Sequence, residues 1–182
     1  LLQPSAKTNA SPHIGHLNVA SEVYSQLECD AVIFIPAYQP PHKSPRGVVS
    51  AHDRLAMVRL AVQNVPFFEI STIEIDAATV CYTIDTVRAL KRQQVAWKEV
   101  FFVIGEDTVS ELPTWKEPEE LFSEVQVVVA ARPHCRKTNH DPRLVYLRNQ
   151  LCDISASEIR ERIAAGKPFK HLVPPPVWRR SE

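Results

Sequence analysis

Strand-like and helix-like stretches alternate along this chain, and the alternation predicts an α/β fold: a Rossmann-like, doubly wound parallel sheet with helices on both faces. Three observations carry the prediction. Several apolar runs are continuous rather than alternating, as strands buried on both faces must be. The stretches between them repeat their apolar residues at helical spacing. At 182 residues, with neither an internal repeat nor a low-complexity segment, the chain suits one domain with a full core, residues 1–182.

The elements follow in order. Residues 31–36 (AVIFIP) form a short apolar run closed by proline, a buried strand. Residues 37–49 are rich in proline and basic groups and read as a loop. Ser50 and Asp53 make an N-cap pattern before a helix with Leu55, Val58 and Val62 on one stripe. A strand at 67–70 comes next, then a helix from 83 to about 93 with Ile84, Val87 and Leu90 facing inward. Residues 100–104 (VFFVI) are the clearest strand, and Gly105 breaks it. A short helix at 117–122, a buried strand at 125–130 and a shorter strand at 144–147 complete the alternation. Ser155 and Glu158 form an S-x-x-E capping box before a helix with Ile159 and Ile163 inward, ended by Gly166. Ahead of His13, residues 1–12 offer only Leu1 and Leu2 as apolar anchors, and no strand is placed there. In such sheets ligands bind outside the carboxyl ends of the strands, so the loops after Ile35, Ile104 and Ala130 should share the functional edge.

Composition narrows the function. Lys+Arg and Asp+Glu balance at 21 each, so no global field recruits nucleic acid or an acidic membrane, and anion sites must be local. No apolar run approaches a membrane span, and the first residues lack the layout of a signal peptide, so a cytoplasmic protein is expected. Cys29, Cys81, Cys135 and Cys152 are widely spaced without a C-x-x-C, as expected of reduced structural thiols.

The residues with chemical potential lie at that edge. His13 and His16 flank Gly15; if they open a helix they share one face, beside amides and a dipole that favour phosphate. A zinc pair or an incidental cluster is the competing reading. Ser155, Ser157 and Arg160 open a late helix and could form a second anion site, or only a cap and a solvated charge. Lys43 and Arg46 stand in the stiff basic loop after the first strand, and Arg132 ends another strand; each could meet a phosphate. Gly105 and Asp107 follow the clearest strand, where a carboxylate could accept from ribose hydroxyls. Trp115 could stack on a heterocycle or fill the core, and Tyr82 with Thr83 could cap a helix or bind a small polar group.

Taken together, these residues resemble the H-x-G-H nucleotidyltransferase superfamily, and within it the bacterial-type nicotinate mononucleotide adenylyltransferases. The similarity runs from about residue 12 to 177 through PHIGHL (12–17), PAYQPPHK (36–43), HDRLAM (52–57), YTIDT (82–86), FFVIGED (101–107), LPTW (112–115), RP (132–133), ISASEIR (154–160) and LVP (172–174). The resemblance implies a nucleotidyltransferase-type fold whose helical segment 155–177 carries the ISASEIR phosphate motif. It implies transfer of AMP from ATP to nicotinate mononucleotide, giving deamido-NAD and pyrophosphate, with Mg²⁺ held mainly through the ATP phosphates. His13 and His16 would stabilise the transferring phosphate; Gly15, Ser155, Ser157 and Arg160 would hold ATP, with Gly105 and Asp107 at its adenosine. Trp115 would stack on the pyridine ring, Tyr82 and Thr83 would recognise its carboxylate, and Lys43, Arg46 and Arg132 would take the mononucleotide phosphate. A homo-oligomer is compatible with this reading.

The chain departs from the family at one place. The family's G-G-T-F-[ND]-P turn is matched by residues 6–12, AKTNASP, without its glycine pair and aromatic. Two other readings remain: a nucleotide-binding relative without catalysis, and a metal module built on His13, His16, His42 and a cysteine. Nicotinamide mononucleotide or another phosphate acceptor is the alternative within the same chemistry.

Overall fold

A computed structural model describes residues 12–39, 49–132, 141–148 and 153–178. Five strands and seven α-helices alternate through them. They are α1 (Ile14–Gln26), β1 (Val32–Phe34), α2 (Ala51–Val62), β2 (Phe68–Ile70), α3 (Ile73–Ala77), α4 (Thr83–Gln93), β3 (Phe101–Gly105), α5 (Pro118–Glu124), β4 (Gln126–Ala130), β5 (Leu144–Leu147), α6 (Ala156–Ala164) and α7 (Pro175–Trp178). A 3-10 helix, Glu106–Thr114, follows β3 directly. Every strand pair is parallel: β1 with β2, and β3-β4-β5 with β4 central.

The period-two geometry of a strand explains why the central runs are apolar at every position. On β3, Phe102 and Ile104 join Ile84, Val87, Leu112 and Leu121 on one face, while Val103 joins the opposite cluster. On β4, Val127 and Val129 face the first layer; Val128 and Ala130 meet Ala20 and Val23 of α1, Met57, Val58 and Ala61 of α2, and Val177 of α7. Helices therefore cover both faces, and the doubly wound α/β architecture expected from the sequence is present.

Several local expectations need correction. β3 runs through Gly105 instead of stopping before it. Ile163, expected to face inward, is 46% exposed, because α6 has nine residues and docks through Ala156 and Ile159. The S-x-x-E box is half made: Ser155 Oγ accepts from the Glu158 amide at 3.1 Å, but the Glu158 carboxylate turns to Arg162 at 2.9 Å. α3 is an element the sequence pattern did not show, and it ends at Ala78 with φ +50°, a left-handed position that glycine favours. The Ser50 cap of α2 is present, its Oγ accepting from the Asp53 amide at 3.0 Å.

One buried charge ties the loops at the carboxyl end of β1. Arg54, only 5% exposed, donates to the carbonyls of Val49, Ala37 and Tyr38, the last at 2.8 Å. It joins the chain leaving β1 to the chain entering α2. Arg54→Met should lower stability by about 2–4 kcal/mol in urea unfolding, because it strands these carbonyls away from water.

Candidate functional site

α1 begins at the edge where the strands end, and its first turn is built from the two imidazoles. His13 is the N-cap residue in extended conformation, and both rings are buried, at 2% and 7% exposure. They stack with centroids 3.8 Å apart and planes 24° from parallel. The His13 amide donates to His16 Nδ1 at 3.4 Å, which assigns the His16 proton to Nε2. Among the described residues, that Nε2 is buried without a hydrogen-bond partner, and Nδ1 of His13 has none beyond the capping contact of the helix's first turn. Unsatisfied buried polar atoms cost about 1–3 kcal/mol each, so the pair is poised for a ligand that can supply partners.

Burial also decides the charge. Desolvation, helped by the nearby Arg132 guanidinium, lowers the His13 pKa to about 4. His16 is driven well below the usual histidine value by burial, then by His13 and by Arg132. At neutral pH the pair is therefore an uncharged hydrogen-bonding device.

Arg132, just beyond β4, connects this pair to the rest of the rim. Its amide donates to Glu106 Oε2 at 3.1 Å, its Nε lies 3.8 Å from Asp107 Oδ1, and Nη1 donates to the Ile154 carbonyl at 3.4 Å. Through its amide and its guanidinium, Arg132 thus joins the end of β4 to the residues after β3 and to the residue before the Ser155 cap, while its charge reaches both imidazoles. Gly105 is required for this closeness: a Cβ there would stand 2.4 Å from Asp107 Oδ1 and 3.4 Å from Arg132 Nε. Gly15 is buried in the first turn of α1. Ser157 Oγ accepts from Arg160 Nη2 at 3.0 Å, and Ser155 and Ser157 are exposed on the first turn of α6.

A second group assembles at the start of α4. Tyr82 is its N-cap residue, 47% exposed, and its side chain makes no capping bond; Thr83 is the first helical residue. Lys116 Nζ sits 5.3 Å from the Tyr82 ring centroid and pairs with Asp85 at 2.8 Å; Trp115 precedes it in the chain. Trp115 packs edge-on to Phe102 at 6.0 Å and is half-buried, so core filler describes one side of the ring. Arg132, grouped by sequence with the acceptor phosphate, lies beside Glu106, Asp107 and the imidazoles. Lys43 and Arg46 fall outside the described residues, as do His42, Cys135 and Cys152. Cys29 and Cys81 are free thiols.

The sequence reading missed Glu106, Glu74 and Arg54. A signal existed for Arg54, a charge set among the buried positions Leu55, Val58, Ala61 and Val62 of an otherwise apolar stripe.

Comparison with known proteins places the chain among its relatives. The cytidylyltransferase-like family model matches residues 11–162. A protein of Exiguobacterium sibiricum named "Probable nicotinate-nucleotide adenylyltransferase" is 41% identical over 167 residues, covering 91% of this chain and 87% of its own. One of the same name from Thermoanaerobacter sp. is 39% identical over 178 residues, covering 92% and 84%. The fold resembles that of Plasmodium falciparum nicotinic acid mononucleotide adenylyltransferase complexed with NaAD, with a TM-score of 0.73 at 17% identity, over 93% of this chain and 89% of that one. The complex of that enzyme with APC gives 0.71 at 16% identity over the same shares.

Two outcomes follow from the rim. Both imidazoles bind protons more weakly folded than unfolded, so below pH about 6.5 the unfolded chain takes up protons that the folded chain refuses. Stability should fall as pH drops from about 6.5 towards 4, by at most about 1.4 kcal/mol per pH unit per histidine. Urea unfolding across that range should lose much of this slope in a His13→Asn, His16→Asn double variant. Gly105→Ala should fold but push the flexible Asp107 side chain off Arg132, lengthening their 3.8 Å contact in a structure of the variant.

Proposed function

The chain belongs to the cytidylyltransferase-like family and, within it, to the nicotinate-nucleotide adenylyltransferases, and we propose how its site carries their reaction. An adenylyl group passes from ATP to nicotinate mononucleotide, giving deamido-NAD and pyrophosphate, a step of NAD biosynthesis. The observation that carries this reading is the buried, unpartnered Nε2 of His16, beside an arginine that also holds the ISASEIR segment.

The nucleophile needs no base. A phosphate monoester has a second pKa near about 6 and is largely dianionic at neutral pH. Its oxygen attacks the α-phosphorus in line, and the bond from that phosphorus to the bridging oxygen breaks as pyrophosphate leaves. The work left to the protein is alignment and stabilisation of phosphoryl charge. Neutral His16 donates through Nε2, and His13 stacks behind it. Ser155, Ser157 and Arg160 at the start of α6 are assigned to the ATP phosphates, with Gly15 at the start of α1, and Gly105 and Asp107 to the adenosine.

The acceptor is assigned to the second group. The positive end of the α4 dipole, where Tyr82 makes no side-chain cap, favours a carboxylate over an amide on the pyridine ring. Trp115 offers its less buried side for stacking, and Lys43, Arg46 and Arg132 are assigned to the mononucleotide phosphate. Among the described residues no three His, Cys, Asp or Glu side chains converge as a metal cage. Glu106 and Asp107 face Arg132, and imidazole nitrogens suit Mg²⁺ poorly. Mg²⁺ is therefore assigned to the ATP phosphates, and no step depends on a protein-held ion. No described helix is long and apolar enough to cross a membrane, which is compatible with the cytoplasmic placement proposed here.

The purified chain should release pyrophosphate from ATP with nicotinate mononucleotide, and at least about 10-fold less efficiently with nicotinamide mononucleotide, the difference a charged recognition site makes. His16→Ala should lower kcat about 10²–10³-fold while far-ultraviolet circular dichroism stays native. Near-normal turnover in that variant would overturn the assignment. ATP binding without pyrophosphate release would favour a non-catalytic relative, and stoichiometric zinc whose removal unfolds the chain would favour the metal module.

A further inference from the structure

The start of α4 rests on a buried polar pair to which no role has been given. Glu74 in α3 is 4% exposed and Thr86 in the first turn of α4 is 5% exposed. Thr86 Oγ1 donates to Glu74 Oε1 at 2.7 Å. The same hydroxyl lies 3.3 Å from the Tyr82 carbonyl, which also accepts from the Thr86 amide at 3.1 Å. The shorter contact, to a carboxyl oxygen, takes the single hydroxyl proton.

The surroundings make this pair decisive for Tyr82. α3 has five residues, too few to hold a helix by its own hydrogen bonds, and it ends at the left-handed Ala78. Residues 79–81 then lead straight to Tyr82, whose side chain supplies no cap. An apolar pair would join α3 to α4 without burying a carboxyl group. What the polar pair adds is direction: a hydrogen bond fixes distance and angle where apolar contact fixes neither.

We propose that Glu74 is a positioning residue for the acceptor: through Thr86 it sets the first turn of α4 and so the placement of Tyr82 and Thr83 against the pyridine ring. The proposal rests on the reading that Tyr82 and Thr83 meet the mononucleotide. It goes beyond that reading by extending acceptor selectivity to a residue that touches no substrate.

The test uses the full chain in steady state with ATP and nicotinate mononucleotide, together with hydrogen exchange of the substrate-free protein. Thr86→Val keeps the volume and removes the hydroxyl; Glu74→Ala removes the acceptor. Both should raise KM for the mononucleotide about 10-fold while KM for ATP stays within about twofold, and Thr86→Ser and Glu74→Gln should restore most of the loss. The Thr86 amide should also exchange faster in Thr86→Val. Should Glu74→Ala fail to fold, Thr86→Val and Glu74→Gln decide. Unchanged acceptor KM in Thr86→Val, or equal loss for both substrates, overturns the proposal. Failure of the functional reading shows elsewhere, as absence of pyrophosphate release in the unaltered chain.

Discussion

Val127, Val128 and Val129 have no exposure to solvent at all, and the position of β4 that this imposes governs the rest of the molecule. A strand sealed on both faces must pair along both edges, because its amides and carbonyls have no water to turn to. β4 does so between β3 and β5, in register from Gln126 to Ala130. Its last residues therefore emerge at a fixed place on the rim. Arg132 is carried there by the core, and from it the guanidinium reaches Asp107, the Ile154 carbonyl and the field of the two histidines. The rim is organised because the strand beneath it has nowhere else to go.

Two kinds of electrostatic device meet at that edge. Arg132 contributes charge that is permanent at any ordinary pH. The imidazoles contribute donors and acceptors held neutral by burial, in a setting where hydrogen bonds are stronger than in water. A site made only of cations would bind ATP and product pyrophosphate alike. A neutral donor adds strength only where charge develops on an oxygen within its reach, the distinction between binding and catalysis.

The sequence showed the elements that are buried on two sides or strictly periodic. Residues 100–104 and 125–130 betrayed their strands by uninterrupted apolar character, and Ile84, Val87 and Leu90 revealed α4. α3 stayed hidden because STIEI alternates like a strand and five residues cannot display a 3.6-residue period. The 3-10 helix after β3 was equally opaque, since it lacks that period and contains Pro113. At the site, H-x-G-H announced the imidazoles, but their neutrality comes from burial in the folded rim, to which Arg132, far away in sequence, adds its charge. The Glu74–Thr86 contact crosses between two helices and left no motif at all.

Arg54 carries the last consequence. Its cation lies inside the protein against carbonyl dipoles, with no carboxylate among its hydrogen-bond partners in the described residues, at the point where the chain leaves β1. Such a guanidinium keeps its proton across the range in which the protein is folded. The tie between the two loops is therefore one that acidity does not undo.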